Sequence, residues 1–150
     1  VGSKENIPMN NPENHTPERA PHEKSTADYF IEHCVNSVTT RRSARTIQTL
    51  YEVHGVPFAA YLTLEDIDPN SESLADDYEN AFVGTYPDED ALIESEIASL
   101  GWIEAIDTVI RQQTIPEGVL EWNYDAFLEH LRRYMYDIVD LGGTIHAFAK

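Results

Sequence analysis

From Thr46 to Ile110 the chain has no lysine or arginine, yet it carries 15 carboxylates there. Protein surfaces usually intersperse both signs. A long stretch of one sign builds a strong field and repels itself. Any fold of this stretch must therefore turn the acids to water and bury the apolar positions between them. The acids are Glu52 and then Glu65, Asp66, Asp68, Glu72, Asp76, Asp77, Glu79, Asp88, Glu89, Asp90, Glu94, Glu96, Glu104 and Asp107. The last fourteen are the candidate partner-binding carboxylates, with Glu117, Glu121, Asp125 and Glu129 as extensions.

The charge is unevenly placed. The chain has 150 residues and a net charge of -17. Residues 1–50 hold six acids and six bases, so residues 51–150 carry the whole imbalance. That region is also rich in aromatics, including Tyr61, Tyr78, Phe82, Trp102, Trp122, Phe127 and Phe148. Acidic disordered tails are poor in aromatics, so these carboxylates are expected on a folded scaffold. A surface of this sign repels phosphates and anionic membranes, which disfavours direct nucleic-acid binding. No apolar run approaches the ~20 residues of a membrane span, and no secretory signal pattern is seen. The single cysteine, Cys34, excludes an intrachain disulfide framework and fits a reducing compartment. A cytoplasmic protein is expected.

Punctuation residues predict the elements. Residues 1–24 are rich in Asn, Pro, Glu and His and read as disordered; residues 25–56 read as a helical N-terminal region, and 57–150 as an acidic α+β region. Ser25 or Thr26 caps a helix over Ala27–Val35, and Thr39 or Thr40 caps a second one that Gly55 stops after His54. Pro57 suits the first turn of a short helix over Phe58–Leu64. A helix over Glu72–Phe82 is expected to end at Gly84. Asp88 caps the next, with Leu92, Ile93, Ile97 and Leu100 inward. Trp102–Gln113 follows, carrying Ile103, Ile106, Val109 and Ile110. Asn123 caps a helix to about Tyr134, burying Phe127, Leu128 and Leu131. Tyr136–Leu141, Gly142-Gly143 and Thr144–Phe148 read as a β-hairpin. The expected fold class is α+β, predominantly helical, with a small C-terminal β-hairpin or sheet packed on helices. Trp102 and Trp122 are expected as core or subunit-interface anchors.

The acids flank the apolar stripes. Residues four apart on a helix lie ~6 Å apart along its axis. Duplex DNA has one charge per ~1.7 Å, so seventeen charges correspond to roughly 29 Å, or about eight base pairs. Rows of carboxylates can thus stand in for phosphates, because backbone contacts to DNA carry no sequence information.

Other chemistry is weaker. Asp66-Ile67-Asp68-Pro69-Asn70-Ser71-Glu72 begins like a calcium loop, with Asp77 at its twelfth position. Ser71 replaces the glycine of the sharp turn, Asp77 is short for a bidentate ligand, and Pro69 is out of place. A solvated interhelix loop is the simpler reading, and no metal or cofactor is expected. His33 and Cys34 with His22 or His54 have no zinc spacing. His146 reads as structural, Cys34 as a small core residue. His130 has Glu129 beside it, but no partner nucleophile is close in sequence. No glycine-rich phosphate loop is present, and no enzymatic activity is expected.

Short motifs from Phe58 to Phe148 add a resemblance. They are Phe58-Ala59-Ala60-Tyr61-Leu62, Tyr78-Glu79-Asn80-Ala81-Phe82-Val83-Gly84-Thr85-Tyr86, the acidic segment Asp88–Ile97, Ile115-Pro116-Glu117-Gly118-Val119-Leu120, Asn123-Tyr124-Asp125-Ala126-Phe127-Leu128 and Gly143-Thr144-Ile145-His146-Ala147-Phe148. Together they resemble the antirestriction protein ArdA family. The resemblance implies a DNA mimic borne by mobile genetic elements, an elongated homodimer that enters the DNA groove of type I restriction-modification enzymes. The family's usual strand-rich N-terminal domain is not recognisable, since residues 25–54 read as helical. The alternative is an acidic adaptor or antitoxin-like protein that binds one basic partner; a calcium-responsive helical module is a third.

Overall fold

The computed structural model describes residues 23–150. The expectation of disorder for residues 1–24 thus falls almost wholly outside the described residues. Seven α-helices and three strands follow in the order α1 (Thr26–Ser37), α2 (Arg41–His54), α3 (Val56–Leu62), α4 (Leu74–Ala81), β1 (Phe82–Tyr86), α5 (Glu89–Ser99), α6 (Trp102–Gln113), α7 (Tyr124–His130), β2 (Tyr136–Leu141) and β3 (Thr144–Ala149). The fold is α+β and predominantly helical, with one small antiparallel sheet.

Capping chemistry sets most boundaries. Ser25 and Asp28 form a reciprocal capping box on α1. Thr40, Asp88 and Asn123 cap α2, α5 and α7 through their side-chain oxygens. Gly55 leaves α2 with φ 70°, a conformation that favours glycine. The last helix widens into a π turn over Leu131–Met135 before β2. Gly142 and Gly143, with φ of 67° and 80°, close the two-residue hairpin, so that Leu141 pairs with Thr144.

The sheet has one strand more than the hairpin expected from sequence. Phe82–Tyr86 is not the end of a helix running to Gly84. It is β1, paired antiparallel with β3 through Phe82–Phe148 and Tyr86–Ile145, with an irregularity at Val83. The cause is local: Phe82, Gly84 and Tyr86 turn partly inward while Val83 and Thr85 face out, a period of two. Strand order is β1-β3-β2.

Because β3 is central, its two faces feed two cores. Phe148 joins Ala27, Ile31, Cys34, Ile47, Phe58, Tyr61, Leu74 and Tyr78 in the first. The N-terminal helices α1 and α2 therefore share a core with the acidic region, held by apolar packing. Ile145 and Ala147 join Leu92 and Leu131 in the second, with Phe127, Leu128 and Ile138 partly buried against it.

Tyr78 stands at the centre of the first core, 2% exposed. The rings of Phe58, Tyr61 and Phe82 lie 5.4, 5.5 and 5.5 Å from it. Burial disfavours the phenolate and pushes its pKa up to about 12. The raised value means that the unfolded chain loses its proton first as pH rises. Stability contributed by neutral Tyr78 is therefore complete below pH ~10 and is lost between pH ~10 and ~12, by an amount on the order of 2–3 kcal/mol. Tyr78→Phe should flatten that alkaline loss, measured as the urea midpoint against pH. An unchanged slope would assign the loss to other tyrosines.

Candidate partner-binding surface

Many of the carboxylates have local reasons to stand where they do. Asp76 and Asp77 occupy the first turn of α4, Glu89 and Asp90 that of α5, and Glu104 that of α6. The positive end of the helix dipole stabilises each. Ser73 Oγ donates to Asp77 Oδ2 at 2.7 Å, and Asp88 Oδ1 accepts from the Ala91 amide at 2.8 Å. Asp68 Oδ1 accepts from the Asn70 amide at 2.9 Å, closing the interhelix loop on itself. Asn70 Oδ1 in turn accepts from the Thr39 amide at 3.0 Å and ties that loop to the start of α2. Oxygens of Asp68, Asn70 and Asp77, three of the calcium-like positions, are thus engaged in protein hydrogen bonds. Among the described residues no three His, Cys, Asp or Glu side chains are grouped to hold a metal ion.

Twelve of the fourteen candidates, Glu65, Asp66, Asp68, Glu72, Asp76, Asp77, Glu79, Asp88, Asp90, Glu94, Glu104 and Asp107, are exposed. Glu89 is half-buried and pairs with Arg132 at 2.7 Å. Glu94 accepts a hydrogen bond from the Tyr124 hydroxyl at 3.3 Å.

Glu96 must be withdrawn from the set. It is 8% exposed, and its Oε2 accepts from the Tyr136 hydroxyl at 3.1 Å. Burial, and then Glu96 itself, raise the Tyr136 pKa. The reason is arithmetic on a helix. Glu96 lies four residues after Leu92 and three after Ile93, so it shares their inward face. It anchors α5 to β2 instead of meeting a partner.

The structure also adds two carboxylates that sequence reasoning missed. Asp137 and Asp140, on the edge strand β2, line a cleft of about 800 Å³ with Glu65, Asp66 and Lys150. Asp140 also lines an adjoining hollow of about 410 Å³ with Asp88, Glu89 and Asp90. Two segments far apart in sequence, the loop after α3 and the start of α5, thus meet around Asp140. One cation enters this surface from the sheet, Lys150, whose Nζ lies 3.6 Å from Asp137 Oδ1. The exposed acids of α4 (Asp76, Asp77, Glu79) and of α6 (Glu104, Asp107) do not line either hollow. The signal for Asp137 and Asp140 was the edge position of the first hairpin strand, which helical spacing does not read.

The basic residues are segregated. Arg41, Arg42 and Arg45 are exposed on α2 and line an open hollow of about 460 Å³ with Thr46 and Thr49. Among the described residues none of the three pairs with a carboxylate. His146 and Cys34 are absorbed by the fold. His146 is 1% exposed; its Nε2 donates to the Leu141 carbonyl at 3.0 Å and its Nδ1 accepts from Thr85 Oγ1 at 3.0 Å. Cys34 is buried in the first core, and burial pushes its thiol pKa up.

Comparison with protein-family models, with curated proteins and with solved structures returns no match for this chain. Among the described residues no helix is long and apolar enough to cross a membrane.

Proposed function

We propose that this protein is a non-catalytic inhibitor that occupies the basic DNA channel of another protein, presenting fixed carboxylates where duplex DNA presents phosphates. The observation that carries this reading is that the acids stand exposed on ordered helices and on the sheet edge, with Arg132 and Lys150 as their ion-pair partners among the described residues. A channel evolved for phosphates reads charge and spacing, not sequence. Exposed carboxylates held by caps and a rigid sheet lose little freedom on binding, which favours affinity.

The motifs that resemble the ArdA family support a type I restriction-modification enzyme as the target. Two of them, Tyr78–Tyr86 and Gly143–Phe148, contain β1 and all but the last residue of its partner β3. They therefore belong to the unit that holds the acidic elements in place.

A second reading has its own support. The convergence of Glu65, Asp66, Asp88, Asp90, Asp137 and Asp140 on two adjoining hollows is a local patch, as an acidic adaptor for one basic protein would present.

Competition separates the two. A type I methyltransferase with labelled duplex is titrated with this protein at several salt concentrations. Mimicry predicts displacement of the duplex, weakening at least about tenfold between ~50 and ~200 mM salt. Failure to displace DNA at the lowest salt, where charge imitation is strongest, would reject mimicry of that channel and leave the adaptor reading.

A further inference from the structure

Among the described residues the stripe on α6 is only partly covered: Ile106 and Ile110 are half-buried, and the Trp102 ring lies 5.3 Å from that of Phe127. Its apolar positions repeat at helical spacing, yet no residue of α6 is buried. Trp102, Ile103 and Val109 are 40–44% exposed, and Val119, Leu120 and Trp122 of the following loop are 43–62% exposed. The two segments meet. The Trp102 and Trp122 rings stack with centroids 6.3 Å apart and an interplanar angle of 8°. Ile106, Leu120, Glu121 and Trp122 enclose a hollow of about 160 Å³, room for one aliphatic side chain. With side chains of ~150–250 Å² for the aromatics and somewhat less for the aliphatics, the exposed apolar area is roughly 500 Å². That is within the ~300–600 Å² of the largest patch on a typical monomer, a patch that is often functional, and with a polar rim it approaches the ~800 Å² per partner of a standard interface.

The rim identifies the occupant. Glu104, Asp107, Glu117 and Glu121 are exposed around the apolar residues, and α6 holds one cation, Arg111. A second copy docked here by twofold symmetry would press like-charged rims together. A partner with an apolar stripe flanked by Lys or Arg meets no such penalty. The patch runs along the twelve residues of α6, about 18 Å at 1.5 Å per residue, which matches about three turns of a partner helix.

We infer that α6 and the 119–122 loop form a docking groove for a cationic amphipathic helix of another protein. The groove supplies an apolar anchor that charge imitation alone lacks, and it stands whether or not the carboxylates replace phosphates. Apolar residues at i, i+3 and i+4 of the partner would lie on Ile103, Val109 and the Trp102–Trp122 stack, and one would enter the hollow. Its cations would face Glu104, Asp107, Glu117 and Glu121.

The chain has two tryptophans, both in the groove, so intrinsic fluorescence reports on it directly. The probe is a synthetic amphipathic helix of about 18 residues built from leucine and lysine, compared with a lysine and serine peptide of equal charge. The expected result is a saturable blue shift with the leucine peptide and at least a tenfold weaker response to the serine peptide. Val109→Glu and, separately, Leu120→Glu should each weaken the leucine peptide at least tenfold while leaving the circular dichroism unchanged. Equal responses to both peptides, no response, or unchanged affinity in both folded variants would overturn the inference. So would sedimentation showing a dimer that shields both tryptophans and excludes the peptide, since the occupant would then be a second copy.

Discussion

Changing Glu65→Gln, Asp66→Asn, Asp90→Asn, Asp137→Asn and Asp140→Asn together is expected to abolish displacement of DNA from its partner, whereas each change alone should weaken it by no more than about threefold. Exposed ionic contacts are individually small, from nearly nothing to about a fivefold effect, but five in one field multiply toward a loss of two orders of magnitude or more. These five line the two adjoining hollows around Asp140. None is a helix-capping residue, so the fold should persist. The combined change takes the net charge from -17 to -12, since -17 + 5 = -12. A control with Glu104→Gln, Asp107→Asn, Glu117→Gln, Asp125→Asn and Glu129→Gln has the same net charge but leaves those hollows intact. Titrating both proteins against the labelled duplex separates place from total charge. Equal losses would mean that net charge alone governs binding. Complete loss from one Asp→Asn change would count against mimicry, because a field spread over many charges has no single indispensable member.

Features written in local chemistry are legible in the sequence. Ser25 or Thr26, Thr39 or Thr40, Asp88 and Asn123 announce helix starts, and the caps are Ser25, Thr40, Asp88 and Asn123; Gly142-Gly143 announces the hairpin. Features that depend on tertiary context are not. No glycine or proline separates α4 from β1; its last turn passes into extended backbone at Phe82. In the sequence the first stop signal is Gly84, two residues beyond the actual change at Phe82. The charge of Glu96 points to water, but its position three after Ile93 and four after Leu92 puts it on the buried face. Asp137 and Asp140 belong to the same cleft as Glu65 only because β2 is an edge strand beside the loop after α3. The stripe Ile103, Ile106, Val109 and Ile110 lies on the expected helix, but none of it is fully buried, and Trp102 and Trp122, expected as core or subunit-interface anchors, stay 40% and 43% exposed. Amphipathicity shows that a face wants cover; it does not name the cover.

Phe148→Ala should be the most damaging single change to the fold. Phe148 is fully buried on the central strand, with the rings of Tyr61, Phe82 and Tyr78 at 5.4, 5.9 and 6.4 Å. Its backbone partners are Phe82 on one side and Asp137 on the other, so it sits where both strand pairings meet. Truncation removes the transfer free energy of the ring and leaves a cavity that rings fixed by α3, α4 and β1 cannot fill, a loss of about 3–5 kcal/mol. Small domains have only ~5–15 kcal/mol in total, so most of the urea midpoint should be lost. Phe148→Leu keeps much of the volume and should cost less, about 1–2 kcal/mol. Val53→Ala, at an exposed position of α2, should shift the midpoint little. The order Ala, then Leu, then the α2 control is the discriminating result in urea unfolding followed by circular dichroism. A Phe148→Ala midpoint close to the parent would mean that the first core does not hold the sheet to α3 and α4, and the rigid display of carboxylates at β2 would lose its support.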